Sequence, residues 1–484
     1  MDLAIPTIDI ASLGPELIVS ITAILVLMLS VFLPKQRKDP ACLLSILGIL
    51  FAMVSSVTLW GKPRYAFNNM IYVDNFGLFF SLVFLITAGV TILMSVNYLK
   101  EEGNSHGEFF ALILFATVGM MFMAIGSNLI TIFLGLETMS ISIYVLVGFL
   151  RERDRSIESA MKYLLLGAFS SAFLLYGIAF IYGATGTTDL KGISVFLSNA
   201  IYLNDPMLLA GTALLLVGFG FKIASFPFHM WTPDVYEGAP TSVTAFMSVG
   251  VKAAAFAAFV RVFSYSLWSL QPDWVLLMWI LAVLTMTIGN IAAIAQTNIK
   301  RMLAYSSIAH AGYIMVGMVA SSELGVSSIL FYMLAYAFMN LGAFGIIILF
   351  ERRGEKNLDI EDYSGIGFKY PALALLMSIF LFSLAGIPPT AGFVGKFYIF
   401  SAAVKAGYIG LAIIGVMNSL VSVYYYLRVT VMMYMNEPVK EFAHPSLSSS
   451  MVIALIIAVV GTLLIGVLPS PYLDLAKQSI LFIM

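Results

Sequence analysis

The chain is poor in charge, in cysteine and in histidine. Of 484 residues, only 11% are Asp, Glu, Lys or Arg, against roughly 25% in a soluble globular domain. The single cysteine, Cys42, excludes an internal disulfide, and it cannot alone hold an iron–sulfur cluster, which needs several thiolates. The four histidines, His106, His229, His310 and His444, are scattered, so no His/Cys cluster suggests a metal. No glycine-rich phosphate loop sits between a strand and a helix, which argues against nucleotide binding. Lys and Arg number 25 against 26 Asp and Glu, so no basic excess points to nucleic acid. Asp2, Asp9 and Glu16 stand where a signal peptide would be basic. The first apolar run is therefore expected to remain as a membrane helix.

What fills the chain instead is apolar. Hydrophobic residues make up 61% of it, and mean hydropathy is +0.98. An apolar run of about 20 residues spans a bilayer as a helix. About fourteen such runs are present, near 15–33, 41–60, 75–98, 108–126, 128–150, 158–183, 206–230, 240–264, 273–296, 301–320, 325–350, 370–403, 407–434 and 449–470. The expected class is an all-α polytopic membrane protein with short loops. The longest loops, around 184–205 and 351–369, are too short for a globular domain.

Charge in the loops predicts orientation. With the N-terminus outside, Lys35, Arg37, Lys38, Lys100, Arg151, Arg153, Arg155, Lys162, Lys300, Arg301, Arg352, Arg353, Lys356, Lys369, Arg428 and Lys440 fall at inner helix ends. Only Lys62, Arg64, Lys191, Arg261, Lys405 and Lys477 fall outside. This split obeys the positive-inside rule and predicts an even helix count with both termini outside.

Four ionisable side chains remain deep inside apolar runs: Glu137, Lys222, Lys252 and Lys396. A charge at mid-membrane costs several kcal/mol, so it normally faces a bundle interior or water and marks an ion path. Two of these lysines sit at interrupted spans. Lys222 precedes Pro227 in the seventh run, and Lys396 follows Pro388-Pro389 in the twelfth. Proline breaks a helix, and broken backbone is tolerated at that depth only where protein or water satisfies it. Paired broken helices point to an internally repeated transporter.

Spacing supports a repeat. Lys222 to Lys396 is 174 positions, and Glu137 to His310 is 173. The same offset carries Lys252 into Tyr424-Tyr425-Tyr426. The expected organisation is a three-helix segment over 1–105, a five-helix repeat over 106–265, a second over 272–434 and a C-terminal helix over 449–484. Five is odd, so the second copy is inverted.

Each charge has a functional and a plainer reading. Glu137, Ser140 and Tyr144 share one helix face and could gate a proton site or merely pin two helices by an ion pair. Lys222 could hold and release a proton, being placed between desolvation and a carboxylate, or form a fixed salt bridge with Glu137. Lys252 ends a polar stripe with Thr241, Thr244 and Ser248, which could line a water path or simply pack helices. Lys396, between Gly392, Gly395 and a break, could relay a proton or stabilise broken-helix carbonyls. His310 could relay between halves or be a hydrogen-bonded core histidine. His229, beside Trp231 and Asp234, is a weaker candidate.

Three stretches resemble one family. They are Phe221-Lys222-Ile-Ala-Ser-Phe-Pro-Phe-His-Met-Trp-Thr-Pro-Asp-Val-Tyr-Glu-Gly-Ala-Pro-Thr241, Lys300-Arg-Met-Leu-Ala-Tyr-Ser-Ser-Ile-Ala-His310, and Leu384-Ala-Gly-Ile-Pro-Pro-Thr-Ala-Gly-Phe-Val-Gly-Lys396-Phe397. They are similar to the signatures of the antiporter-like membrane subunits of respiratory complex I, an NADH–quinone oxidoreductase. The resemblance covers essentially the whole chain. It implies fourteen helices in two inverted five-helix repeats with broken helices seven and twelve. It also implies a proton-translocating role for Glu137, Lys222, Lys252 and Lys396, and a bacterial inner (plasma) membrane location. It implies other membrane subunits as partners and no redox cofactor in this chain, with FMN, iron–sulfur clusters and quinone in the partners. Two rivals remain: a stand-alone cation/proton antiporter subunit of the same fold, and a structural scaffold whose charges only lock helices together.

Overall fold

The computed structural model describes residues 9–33, 39–104, 106–199, 203, 205–351, 357–438 and 445–480. Among the residues counted for orientation, Lys35, Arg37, Lys38, Arg352, Arg353, Lys356 and Lys440 lie outside these, as does His444.

Nearly every element is a helix: α1 (Gly14–Phe32), α2 (Asp39–Leu59), α3 (Asn75–Glu101), α4 (Glu108–Ile125), α5 (Leu129–Val147) and α6 (Asp154–Thr185). A short α7 (Leu190–Leu197) precedes α8 (Pro206–Ile223), α9 (Trp231–Gly238) and α10 (Thr241–Phe259), which a π-helical turn extends to Ser266. Then come α11 (Gln271–Ile294), α12 (Ile299–Ala320), α13 (Glu323–Phe350), the single turn α14 (Ile366–Lys369), α15 (Pro371–Ala385) and α16 (Ala391–Lys405). The chain closes with α17 (Ile409–Met435), α18 (Ser449–Val467) and α19 (Ser470–Gln478). Thirteen helices are long and apolar enough to cross a membrane, and the shorter α15 is also apolar.

Helix starts follow ordinary capping chemistry. Asp74, Asn128, Asp189 and Ser322 each accept a hydrogen bond from the first-turn amides of α3, α5, α7 and α13. Proline opens α8 and α15, where no amide donor is missed. A small antiparallel hairpin, β1 (Arg64–Ala66) and β2 (Ile71–Val73), links α2 to α3. Its Tyr65 and Tyr72 rings stack at 4.2 Å.

Burial sorts the helices into centre and rim. The apolar windows of α10, α12 and α13 are 94–100% buried, whereas those of α2, α6, α11, α17 and α18 are 33–39% buried. The rim exposes Phe32, Phe169, Leu420 and Val467, the inverse of a soluble surface and the expected face toward lipid. Successive spans run antiparallel. One end of the bundle carries the hairpin. The other carries Arg153, Lys300 and Arg301 and is called the basic face below.

Close backbone approach replaces the hydrophobic effect as glue between helices in lipid. At the α4–α5 crossing, a Cβ on Gly119 would lie 2.4 Å from the Met139 amide nitrogen, and one on Gly135 would lie 2.8 Å from the Gly119 oxygen. Gly119→Val therefore forces these helices apart, at about 1–3 kcal/mol by the scale of overpacked cores. The expected outcome is a lower thermal midpoint in detergent; an unchanged midpoint refutes the tight crossing.

Candidate functional site

The interrupted spans put polar backbone at membrane depth, and each has its own means of satisfying it. α8 ends where Ala224 turns left-handed (φ +60°). The Phe221 carbonyl, which takes the Ala224 amide in this turn, also accepts the Trp231 indole N–H at 3.1 Å. The Phe226 amide donates to Thr285 of α11 at 3.0 Å. Trp231 stacks on Tyr163 at 4.5 Å, which sets α9 against α6. In the other break, Lys396 Nζ donates to the carbonyls of Leu384 (2.9 Å) and Ala385 (2.8 Å) and to Ser419 Oγ (2.9 Å). Lys396 thus caps α15 from the first turns of α16. Gly392 permits this fold-back: a Cβ there would sit 1.8 Å from the Ser383 oxygen.

Glu137 and Lys222 are brought to one site but not into contact. Ser171 of α6 donates to Glu137 Oε1 at 2.5 Å. Lys222, 1% exposed, donates to Ser140 Oγ at 2.8 Å, and Ser140 donates its own hydroxyl to the Leu136 carbonyl. The described ion pairs do not include Glu137 with Lys222, although the charge of Glu137 acts on Lys222 across the gap. The rings of Phe221, Tyr144 and Tyr163 stand 5.8–6.0 Å from Nζ. The buried hydroxyl of Tyr163 lacks a hydrogen-bond partner among the described residues, and that of Tyr144 stands by Ser140.

Lys252, His310 and Lys396 gather in the second half. Lys252 Nζ, 1% exposed, donates to both the carbonyl and the hydroxyl of Ser307. Tyr336 donates to the same hydroxyl at 2.9 Å. One turn on, His310 Nδ1 meets Tyr332 Oη at 2.6 Å and Nε2 meets Tyr426 Oη at 3.0 Å. Tyr426 also contacts Ser306. The Tyr313 ring bridges the last gap, 5.6 Å from the His310 ring and 4.9 Å from Lys396 Nζ. Among the described residues no hydrogen-bonded chain links Lys222 to Lys252.

The polar stripe on α10 is buried throughout, but its hydroxyls largely bond locally. Thr244 donates to the Tyr236 carbonyl and Ser248 to that of Ala245. Ser248 in turn accepts from Asn340 of α13 at 2.5 Å. Ser307, Tyr332, Tyr336 and Asn340 were not picked out from the sequence. Their signal was the i, i+4, i+8 recurrence of Tyr332, Tyr336 and Asn340 along one face of α13.

Of the four charges the sequence picked out, Lys222, Lys252 and Lys396 are buried and Glu137 is partly exposed, and buried charge extends beyond them. Arg261, counted by sequence at the outer end of the eighth run, is 4% exposed and pairs with Asp74 at 2.5 Å. Glu16, Lys300 and Glu351 are buried as well. At the basic face, α9 is held from both sides. Lys162 of α6 and Arg301 of α12 pair with Asp234, and Arg301 also reaches Glu237 at 2.9 Å. Burial opposes the Asp234 charge, but the hydrogen bonds and charges of Lys162 and Arg301 outweigh it and hold the carboxyl below its ordinary range. His229 lies half-buried in the link before α9. Among the described residues no group of three or more His, Cys, Asp or Glu could hold a metal ion.

A carboxyl with a depressed folded pKa stabilises above its unfolded value, and that contribution fades as pH falls through the folded one. The α9 clamp is thus complete at neutral pH. Its pairs are a third exposed, which limits each to well under about 1 kcal/mol. With Cys42→Ala as background, Thr232→Cys reports on the clamp, since Thr232 is fully buried. Adding Asp234→Asn should speed thiol labelling about 2- to 5-fold at neutral pH. Equal rates with and without Asp234 would show that the ion pairs do not hold α9.

The chain is similar to known proteins along its whole length. The model of the NADH:quinone oxidoreductase/Mrp antiporter transmembrane family matches residues 126–422. The NADH-quinone oxidoreductase subunit N of Trichlorobacter lovleyi is 52% identical over 98% of this chain and 97% of that protein. The corresponding subunit N 1 of Herpetosiphon aurantiacus is 46% identical over 98% of each. Among solved structures, a chain of respiratory complex I from Thermus thermophilus superposes with a TM-score of 0.81 at 34% identity, covering 96% of this chain and 99% of that one. A chain of the Mrp complex from Dietzia sp. matches in fold alone, with a TM-score of 0.86 at 20% identity, covering 98% of this chain and 97% of that one.

Proposed function

This chain belongs to the NADH:quinone oxidoreductase/Mrp antiporter transmembrane family, and we propose that it is a proton-translocating membrane subunit of a complex I-type NADH–quinone oxidoreductase. The observation that carries the reading is the run of buried titratable groups at mid-bundle. Lys252, Ser307 and Tyr336 are hydrogen-bonded in turn, His310 is hydrogen-bonded to Tyr332 and Tyr426 and packs on Tyr336, and the Tyr313 ring spans the gap from His310 to Lys396. Its partners are other membrane subunits of such an assembly.

The finer assignments extend this reading. The chain carries no redox centre; FMN, iron–sulfur clusters and quinone belong to partner subunits. Residues 106–265 and 272–434 act as two inverted half-channels between the segments 1–105 and 449–484. The basic face is inside a bacterial plasma membrane and both termini are outside, as the positive-inside rule supports. Protons enter from inside to Lys222, pass along Lys252 and His310, and leave outward by Lys396.

Glu137 is the gate. An ammonium beside its counterion keeps its proton, and one deprived of it gives the proton up. Each partner of this pair already has a second hydroxyl to turn to: Ser171 for Glu137, Ser140 for Lys222. Closing and opening of the pair therefore exchanges hydrogen bonds instead of leaving a bare charge. Moving one charge against the membrane potential costs roughly 2.3 kcal/mol per 100 mV, which electron transfer in the partners supplies.

Lys222→Ala should abolish proton pumping and the coupled quinone reduction of the assembled complex. Pumping is read as acidification of inverted membrane vesicles during NADH oxidation. A wild-type ratio of protons to electrons in that variant rejects the assignment.

A further inference from the structure

A second group of buried charges stands at the basic face, outside the relay just described. Glu351, one residue past α13, is 3% exposed, and neither carboxylate oxygen has a hydrogen-bond partner among the described residues. Arg153, from the α5–α6 link, lies 3.7 Å from it and donates to Glu102 at 2.5 Å. Lys300, at the start of α12, donates to the Ala239 carbonyl at 2.7 Å, and its charge acts on Glu351. Tyr98 of α3 accepts from the Thr241 amide at 3.3 Å. The Oγ of Thr241, the first residue of α10, is also buried and acts on the Glu351 carboxylate from just outside hydrogen-bond geometry. Orphaned buried oxygens at one place mark a site built for water or a transient proton.

From there the α10 stripe leads inward through Thr241, Thr244 and Ser248 to Lys252. Successive side chains rise by roughly 4.5–6 Å, a gap that a single bridging water spans. We propose that Glu351, with Glu102 at its rim, is a second proton-uptake port that serves Lys252 along α10, separately from Lys222. The inference rests on the proton-translocating reading above.

The steps balance without a co-reactant. A proton from inner water binds a Glu351 oxygen and leaves a neutral acid among Arg153, Lys300 and Glu102. The cluster now carries one excess positive charge, which favours passing the proton on. Shuttled through the water-bridged hydroxyls, it reaches the Lys252 amine, and Glu351 is a carboxylate again. Burial lifts the Glu351 carboxyl above the ordinary carboxylate range, against the pull of Lys300, the Thr241 hydroxyl and Arg153, while Glu102 adds to the lift. Tyr363 also feels the Glu351 charge. An acid so placed accepts protons closer to neutral pH than a free carboxylate does.

The test is Glu351→Gln in the assembled complex, in inverted vesicles, across a range of pH. The Gln variant should assemble normally and pump at least about tenfold more slowly, the low end for loss of a proton-transfer group. Formate, a small diffusible acid, should restore much of the rate, and Glu351→Asp should retain it. A structural role would not respond to formate. If Gln pumps normally with an unchanged pH profile while Lys222→Ala is dead, the port is refuted and the relay stands. If Lys222→Ala also pumps normally, the relay reading itself fails. A slow Gln variant that formate does not rescue, with Asp equally slow, makes Glu351 a structural anchor and overturns the port.

Discussion

In a bilayer every main-chain N–H and C=O must be satisfied within the protein, because lipid offers no partner. An unbroken helix meets that condition by itself. The two interrupted spans do not, and side chains must satisfy them. Lys396 covers the Leu384 and Ala385 carbonyls, and the Trp231 indole covers that of Phe221. The break between α8 and α9 also recruits Thr285 from the other half of the chain. Backbone satisfaction therefore places both lysine-bearing breaks, and the second break is inseparable from its lysine.

This makes the two lysines chemically unlike, although their spacing suggests equivalence. All three Lys396 donors are used on carbonyl and hydroxyl acceptors, so its charge is held by dipoles and by the Tyr313 face. Lys222 has one hydroxyl acceptor and an aromatic surround. The plainer reading of Lys396, a cation stabilising broken-helix carbonyls, is thus fully realised in its contacts, and a relay role has to work through them. A proton leaving Lys396 removes one of three hydrogen bonds and leaves the other two to hold the turn. For Lys222 the plainer reading, a fixed salt bridge with Glu137, is absent from the structure.

The apolar runs made the helices legible, because a bilayer asks for little beyond length and hydropathy. The breaks were legible through proline. Charges in mid-run were legible because lipid makes them expensive. Pairing was not. Nothing in the sequence around Lys252 names Ser307 as its partner, since the contact joins α10 to α12 across 55 positions. The tyrosines that receive His310 come from α13 and α17 and look like ordinary packing residues. Arg261 read as an interfacial charge because it lies at the outer end of the eighth apolar run. Only the fold shows that the helix continues past it as a π-turn and brings it to Asp74. Local pattern reveals which residues are costly to bury, and tertiary packing decides what repays that cost.

Helix α12 joins these parts mechanically. At its first turn, Lys300 holds the carbonyl that ends α9, and Arg301 holds the α9 carboxylates. Two turns further in, Ser306 and Ser307 meet Tyr426 and Lys252, and His310 meets Tyr332. α12 is almost wholly buried, and a packed helix shifts as a unit more readily than it bends. A displacement of α9, the segment that follows Lys222, therefore cannot leave the α12 start unmoved while both ion pairs hold. A hydrogen bond fails within about 0.5 Å of its optimum, so a slide of that size suffices to remake contacts around Ser307 and His310. The missing hydrogen-bonded link between Lys222 and Lys252 then need not be a wire. The two lysines can respond to each other through the position of one helix.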